Sequence, residues 1–206
     1  MRGLLAHEYG VALEGVQWLQ GGVNEPGRVE GIAIDLPPEI SYTAVPDRSL
    51  NDMLLAGDLD ALISARPPAG FGAGIVRLID GPAAEQEHYR RTRVFPIMHV
   101  VAIRRDVYDA HPWVAANLYS AFEEAKRRSV RRLLDPNASM VPLPQGHFAA
   151  AWAQDVFGED LWPYGVEPNR PTLETFLEWA AEQGVTARNL APEELFAAET
   201  LQRFRV

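Results

Sequence analysis

Few residues of this chain could do chemistry, and they are scattered. The stretch "RVFPIMHVVAIR" (93–104) sets His99 in a nearly unbroken apolar run. Read as a strand, it places His99 on one face with Ile97, Val101 and Ile103. An imidazole held there could donate a proton near neutrality. The plain alternative is a core histidine bonded to backbone. Arg66 follows the apolar segment "LDALISA" (59–65), which reads as a buried strand ended by Pro67-Pro68. Ligands of open α/β sheets bind beyond the carboxyl ends of strands. A guanidinium there can grip a carboxylate with two bonds, or simply face solvent before the turn. His7 and Glu8 are neighbours on a presumed helix, so at most one of them faces a cleft. Trp162, Tyr164 and Arg170 share the loop "LWPYGVEPNRP" (161–171). Two aromatic faces and a cation suit a flat anion, or they fasten the loop to the core.

Other chemistries are excluded or unsupported. There is no cysteine, so disulfides, thiolate catalysis and cysteine zinc sites are ruled out. The histidines at 7, 88, 99, 111 and 147 form no close pair with metal-ligand spacing, and no metal or organic cofactor is implied. The glycines of "GFGAGIV" (70–76) precede no helix, so they read as a turn and not as a dinucleotide loop. A net charge of −9 argues against nucleic acid as a partner. The basic cluster "KRRSVRR" (126–132) suits a helix C-terminus, where cations meet the dipole. No apolar run reaches membrane-spanning length, and the N-terminus lacks a signal-peptide pattern, so a soluble, cytoplasmic chain is expected. The sequence is silent on oligomeric state.

The elements that must position these residues change character along the chain. The first half alternates short strands (16–19, 39–45, 59–65, 74–80) with helices near 4–11, 50–56 and 82–92. Ser49 and Asp52 suggest a helix cap, with Gly57 ending that helix. After Arg104 the pattern becomes helical. A long helix starts at Pro112, with an apolar stripe of Val114, Leu118, Ala121, Phe122 and Ala125. Further helices are expected at 147–157, at 173–184 and from Pro192. Trp113 and Trp179 read as packing residues on such helices. The strand-poor second half fits either a helical layer on the first half's sheet, or helices whose own sheet is supplied elsewhere.

Five long stretches carry a resemblance: "RGLLAHEYGV", "LNDMLLAGDLDALISARPP", "YRRTRVFPIMHVVAIRRDVYDAHPWVAANLYSAFEEAK", "LWPYGVEPNRPTLETFLEWAAEQGV" and "EELFAAETL". In order and wording they resemble the 4,5-dihydroxyphthalate decarboxylase family. That resemblance implies an α/β fold of the type 2 periplasmic-binding-protein kind. It implies a second α/β lobe at 1–95, a crossover strand at 96–104, and a helix-rich part of the first lobe at 105–206. Family members begin with a first-lobe βα segment ahead of the region matching "RGLLAHEYGV". The implied reaction is non-oxidative loss of carbon dioxide from a small aromatic dicarboxylate, giving protocatechuate. Chemistry and position, and not the resemblance, make His99 the candidate acid, with His7 as the alternative, Arg66 the candidate carboxylate clamp, and Tyr164 and Arg170 the candidates to line the ring. The alternatives are a solute-binding protein without catalysis and an inactive, shortened family member.

Overall fold

A computed structural model describes residues 1–28, 36–40, 42–79, 81–137 and 145–201. The chain divides into two compact units. The first comprises Met1–Pro82 and Trp179–Asn189; the second comprises Ala83–Glu178 and Leu190–Val206. Among the described residues the architecture is mixed and helix-rich, with one small parallel sheet.

In the first unit, helix α1 spans Arg2–Tyr9 and closes on Gly10, whose φ of 64° suits a residue without a Cβ. Strands β1 (Trp18–Gln20) and β2 (Tyr42–Ala44) pair in parallel, with Trp18 opposite Tyr42. Helix α2 (Leu50–Ala56) forms where the cap signals place it. The Ser49 hydroxyl accepts the Asp52 N–H at 3.1 Å, and Gly57 ends the helix in the left-handed region. Leu13, Leu50, Met53 and Ile75 are buried in this unit. Ser49 itself is 1% exposed, so its lost hydroxyl could not be replaced by water. Ser49→Ala is therefore expected to cost about 1 kcal/mol in urea unfolding. A change within experimental error would show that the cap carries no stability.

Two expected strands of this unit are absent. Residues 59–65 form neither helix nor strand, and 74–79 contribute only a single bridge between Ile75 and Phe71. Asp80, the last residue of the expected strand 74–80, and Ser41, inside the expected strand 39–45, lie outside the described residues. A strand exists only through its neighbour, and among the described residues no further strand stands beside these runs.

Helix α3 (Gly81–Thr92) lies in the second unit from Ala83 onward and ends beside Arg93, whose φ is 62°. Residues 93–104 form no strand, contrary to the reading of the apolar run. Helix α4 (Arg105–Ala110) was not foreseen. Arg104 caps it in an extended conformation and its guanidinium grips the Asp106 carboxylate. Helix α5 (Trp113–Leu134) is long, and Arg131 and Arg132 occupy its last turn as the basic cluster suggests. Its apolar stripe is half-buried at Val114 and Leu118 but exposed at Ala121, Phe122 and Ala125. Trp113 is 60% exposed, so it does not pack as expected. Helix α6 (Gly146–Phe157) follows.

Helix α7 (Val166–Glu182) begins well before the expected 173, and so Arg170 is helical and not in a loop with Trp162 and Tyr164. Pro168 sits in the first turn, where a missing N–H costs nothing, although Pro171 lies inside the helix. A short helix α8 (Pro192–Leu195) begins at the expected proline. Ala115, Ala150, Val156, Val166, Leu173 and Leu177 form the buried apolar set of this unit. Among the described residues no helix is long and apolar enough to cross a membrane.

Candidate functional site

In the first unit the loop carrying Arg66 is tied down at several points. Asn24 accepts the Ala69 N–H at 2.7 Å through Oδ1 and donates to the Pro67 carbonyl through Nδ2. Buried Asn51 accepts the Gly70 N–H at 2.8 Å and donates to the Asp52 carboxylate at 3.0 Å. Bonds from Ser49 and then Asn51 hold the Asp52 carboxyl below its ordinary pKa. The Leu50 and Asn51 N–H groups donate to the Gly22 and Val23 carbonyls at 2.9 and 2.8 Å. The Ser64 hydroxyl donates to the Arg66 carbonyl and accepts the Arg66 N–H.

Arg66 is thus positioned by side-chain staples and not by the end of a strand, which corrects the reason for singling it out. Its backbone is fixed. Its side chain is exposed, and its guanidinium has no ion-pair partner among the described residues. An unpaired guanidinium on a stapled backbone is suited to a carboxylate ligand.

His7 lies on α1 in the same unit. Its Nε2 is 2.8 Å from the Glu182 carboxylate, and its ring stacks on Trp179 at 5.4 Å with planes 13° apart. The carboxylate fixes ring orientation and the nitrogen that carries the proton. Gly3 makes room for the Trp179 indole, since a Cβ there would overlap it. Glu8, the sequence neighbour of His7, is not the partner in this pair. His7 and Arg66 share no hydrogen bond or ion pair.

The second unit holds the other three candidates. His99 is exposed and unpartnered among the described residues, in a run that is not a strand. Tyr164 is half-buried. Its carbonyl accepts the Tyr119 hydroxyl at 3.3 Å, and the Lys126 ammonium lies 4.7 Å from its ring centroid. Lys126 is 8% exposed and held by Asp160 at 2.9 Å and Glu123 at 3.0 Å. Asn169 donates to the Pro163 and Gly165 carbonyls, fastening this loop to the first turns of α7. Tyr164 therefore rests on a cation already neutralised by two carboxylates.

Arg170 is occupied as well. Its guanidinium binds Glu167, Glu193 and Glu174, the last at 3.2 Å. Those carboxylates, Glu167 first and then Glu193, raise its pKa above the ordinary value. To meet a ligand carboxylate it would have to release one of them. Trp162 belongs to an aromatic cluster with Phe95 at 6.3 Å, while Phe95 meets Phe157 at 4.9 Å and Tyr89 at 6.3 Å. No hydrogen bond or ion pair joins His99, Tyr164 and Arg170. Among the described residues no group of three or more acidic, histidine or cysteine side chains could hold a metal ion.

Sequence reading missed Glu182, Asn24 and Asn51 as positioning groups. The His7–Glu182 pair spans 175 positions, and no local pattern marks so distant a partner.

No family model matches the chain. Two known proteins do. Along all of its length the chain is 34% identical to a protein of Comamonas testosteroni named 4,5-dihydroxyphthalate decarboxylase, and it spans 64% of that protein. A protein of Pseudomonas putida with the same name is 36% identical over 75 residues, covering 36% of this chain and 29% of that one. The chain thus spans less than two thirds of the length of either relative. The match to the Comamonas testosteroni protein takes in α1, the Arg66 loop, the apolar run and α7 alike, so the whole chain is similar to a protein named 4,5-dihydroxyphthalate decarboxylase.

Proposed function

We propose that this chain belongs to a carboxy-lyase that converts 4,5-dihydroxyphthalate to protocatechuate and carbon dioxide, on a cytoplasmic two-lobed fold of the type 2 periplasmic-binding-protein kind. The observation that carries the reading is similarity over the whole chain to a protein of that name, joined to an unpaired guanidinium on a stapled loop.

The chemistry asks for little. The hydroxyl para to the departing carboxylate pushes electron density onto the carbon that bears it. A proton adds to that carbon, the carbon–carbon bond breaks, and carbon dioxide leaves as the ring regains aromaticity. The push comes from the substrate, so no cofactor is required. Arg66 would orient the retained carboxylate. His99 or His7 would deliver the proton. Of the two, His7 has an oriented ring, held by Glu182 and Trp179, whereas His99 has no described partner. Tyr164 and Arg170 would line the ring, with Arg170 exchanging one carboxylate for the ligand.

The expected result with 4,5-dihydroxyphthalate is heat on binding together with carbon dioxide release. In Arg66→Gln, kcat/KM should fall about 10- to 100-fold, as for loss of a charged hydrogen-bonding partner, while the unfolding midpoint stays unchanged. Unchanged kinetics would remove Arg66 from the site. Heat without carbon dioxide would favour a solute-binding protein, which an unpaired arginine would serve equally well. Neither heat nor carbon dioxide would overturn the proposal for this chain.

A further inference from the structure

Trp179 and Glu182 stand three residues apart on α7 and so share one face of it. Gly3 and His7 stand four apart on α1 and share a face in the same way. The two faces meet within the first unit. The Trp179 indole takes the space that a Cβ at Gly3 would need, and it stacks on the His7 ring. The Glu182 carboxylate closes on His7 Nε2 at 2.8 Å. We infer that Glu182 is a positioning residue, which holds the His7 imidazole by Nε2 so that Nδ1 is the atom that hands the proton to the substrate ring. The inference rests on the proposed decarboxylation and names the geometry of its acid.

Three observations lead there. First, the bond made by one imidazole nitrogen decides what is left for the other. Nε2 faces Glu182, while Nδ1 meets no hydrogen-bond partner among the described residues. Second, Glu182 sits in the last turn of α7, the negative end of the helix dipole, where a carboxylate is disfavoured. Among the described residues His7 is its one ion-pair partner. Third, the two side chains are 43% and 44% exposed. So open a pair adds little to stability, but it leaves the ring within reach of a ligand. The proton transfer balances. The Nδ1–H bond of the imidazolium breaks, and the proton bonds to the ring carbon that bears the departing carboxylate. The imidazole is left neutral, with its Nε2–H still donated to Glu182. The carbon–carbon bond then breaks, its electron pair returns to the ring, and carbon dioxide leaves. Solvent restores the proton to Nδ1 before the next turnover.

The test compares Glu182→Ala, His7→Ala, the double variant and a control, Glu178→Ala, with 4,5-dihydroxyphthalate as substrate. Glu178 is an exposed carboxylate one turn earlier on α7, so it removes the same charge without touching His7. Glu182→Ala should lower kcat about tenfold or more and leave KM within about twofold. His7→Ala should lower kcat about 100-fold or more. The double variant should be no worse than His7→Ala, because the carboxylate acts only through that ring. Glu178→Ala should match the wild type. A second readout needs no substrate. In proton spectra of the chain the stacked indole should shift the His7 ring protons upfield, and Glu182→Ala should return them toward their values in an unfolded peptide. Unchanged kcat or unchanged ring shifts in Glu182→Ala overturn the inference. So does an equal loss in Glu178→Ala, or a double variant whose losses multiply, as a merely structural role would give. Those results leave the decarboxylation standing. No carbon dioxide from the wild-type chain overturns the reaction itself, and this inference with it.

Discussion

Leu177→Ala is expected to lower the unfolding free energy by about 3–4 kcal/mol, as for other fully buried leucines cut back to alanine. Leu177 is 2% exposed on α7, among the most buried large side chains of the described chain. The loss combines the transfer energy of the removed carbons with the cavity they leave. Buried Val166 and Leu173 on the same helix belong to a core that is small for the chain's length, so little is available to collapse into the gap. A domain holds only about 5–15 kcal/mol in total, so the change should be visible as a large drop in urea midpoint with an unchanged slope. Phe176 supplies the control. It is the adjacent residue, larger and equally apolar, but 59% exposed. Phe176→Ala should stay within about 0.5 kcal/mol. If the two variants shift the midpoint equally, Leu177 does not hold this helix in place.

The second large effect is expected at Gly22. A Cβ there would overlap the Glu25 carbonyl oxygen, which is backbone and cannot rotate away. Gly22→Ala should therefore cost about 3 kcal/mol, at the upper end for overpacking. Gly15→Ala, where a Cβ meets nothing within 4 Å, should be nearly neutral. The consequence reaches beyond stability. Gly22 and Val23 accept the first N–H groups of α2, and Asn24 holds the loop of Arg66. Moving this turn loosens both. Under the proposed function, Gly22→Ala should thus raise KM for the dicarboxylate at temperatures where the protein remains folded. Equal unfolding midpoints for the Gly22 and Gly15 variants would refute the steric argument.

What the sequence made legible follows from which signals are local. The α2 cap needed only Ser49, Asp52 and Gly57, and all three act as read. The basic end of α5 and the proline start of α8 are likewise local. The strands failed for the opposite reason. Residues 59–65, 74–79 and 97–103 have strand-like composition, but pairing is a property of two segments, and composition reports on one. The early start of α7 was hidden because Gly165, Pro168 and Pro171 look like loop punctuation, while the first helical turn tolerates proline. Among the candidate site residues, Arg66 was singled out for a reason that the fold does not support. Its true supports, Asn24 and Asn51, are ordinary polar residues until the loop folds onto them.

The ends of the unpaired run carry one more consequence. Phe95 is fixed by its N–H bond to Thr172 at 3.0 Å and by its aromatic neighbours. The Arg104 carbonyl is fixed by the Val107 and Tyr108 N–H groups, each at 3.0 Å. Ordering the residues between them costs about 1–2 kcal/mol each in backbone entropy. The anchors shorten the list of conformations to be given up. They also settle register in advance, because the run cannot slide past two fixed points. A slip by one residue would exchange the face of His99 for that of Met98 and Val100. Any extended arrangement of this segment would therefore keep His99 on one face with Ile97, Val101 and Ile103.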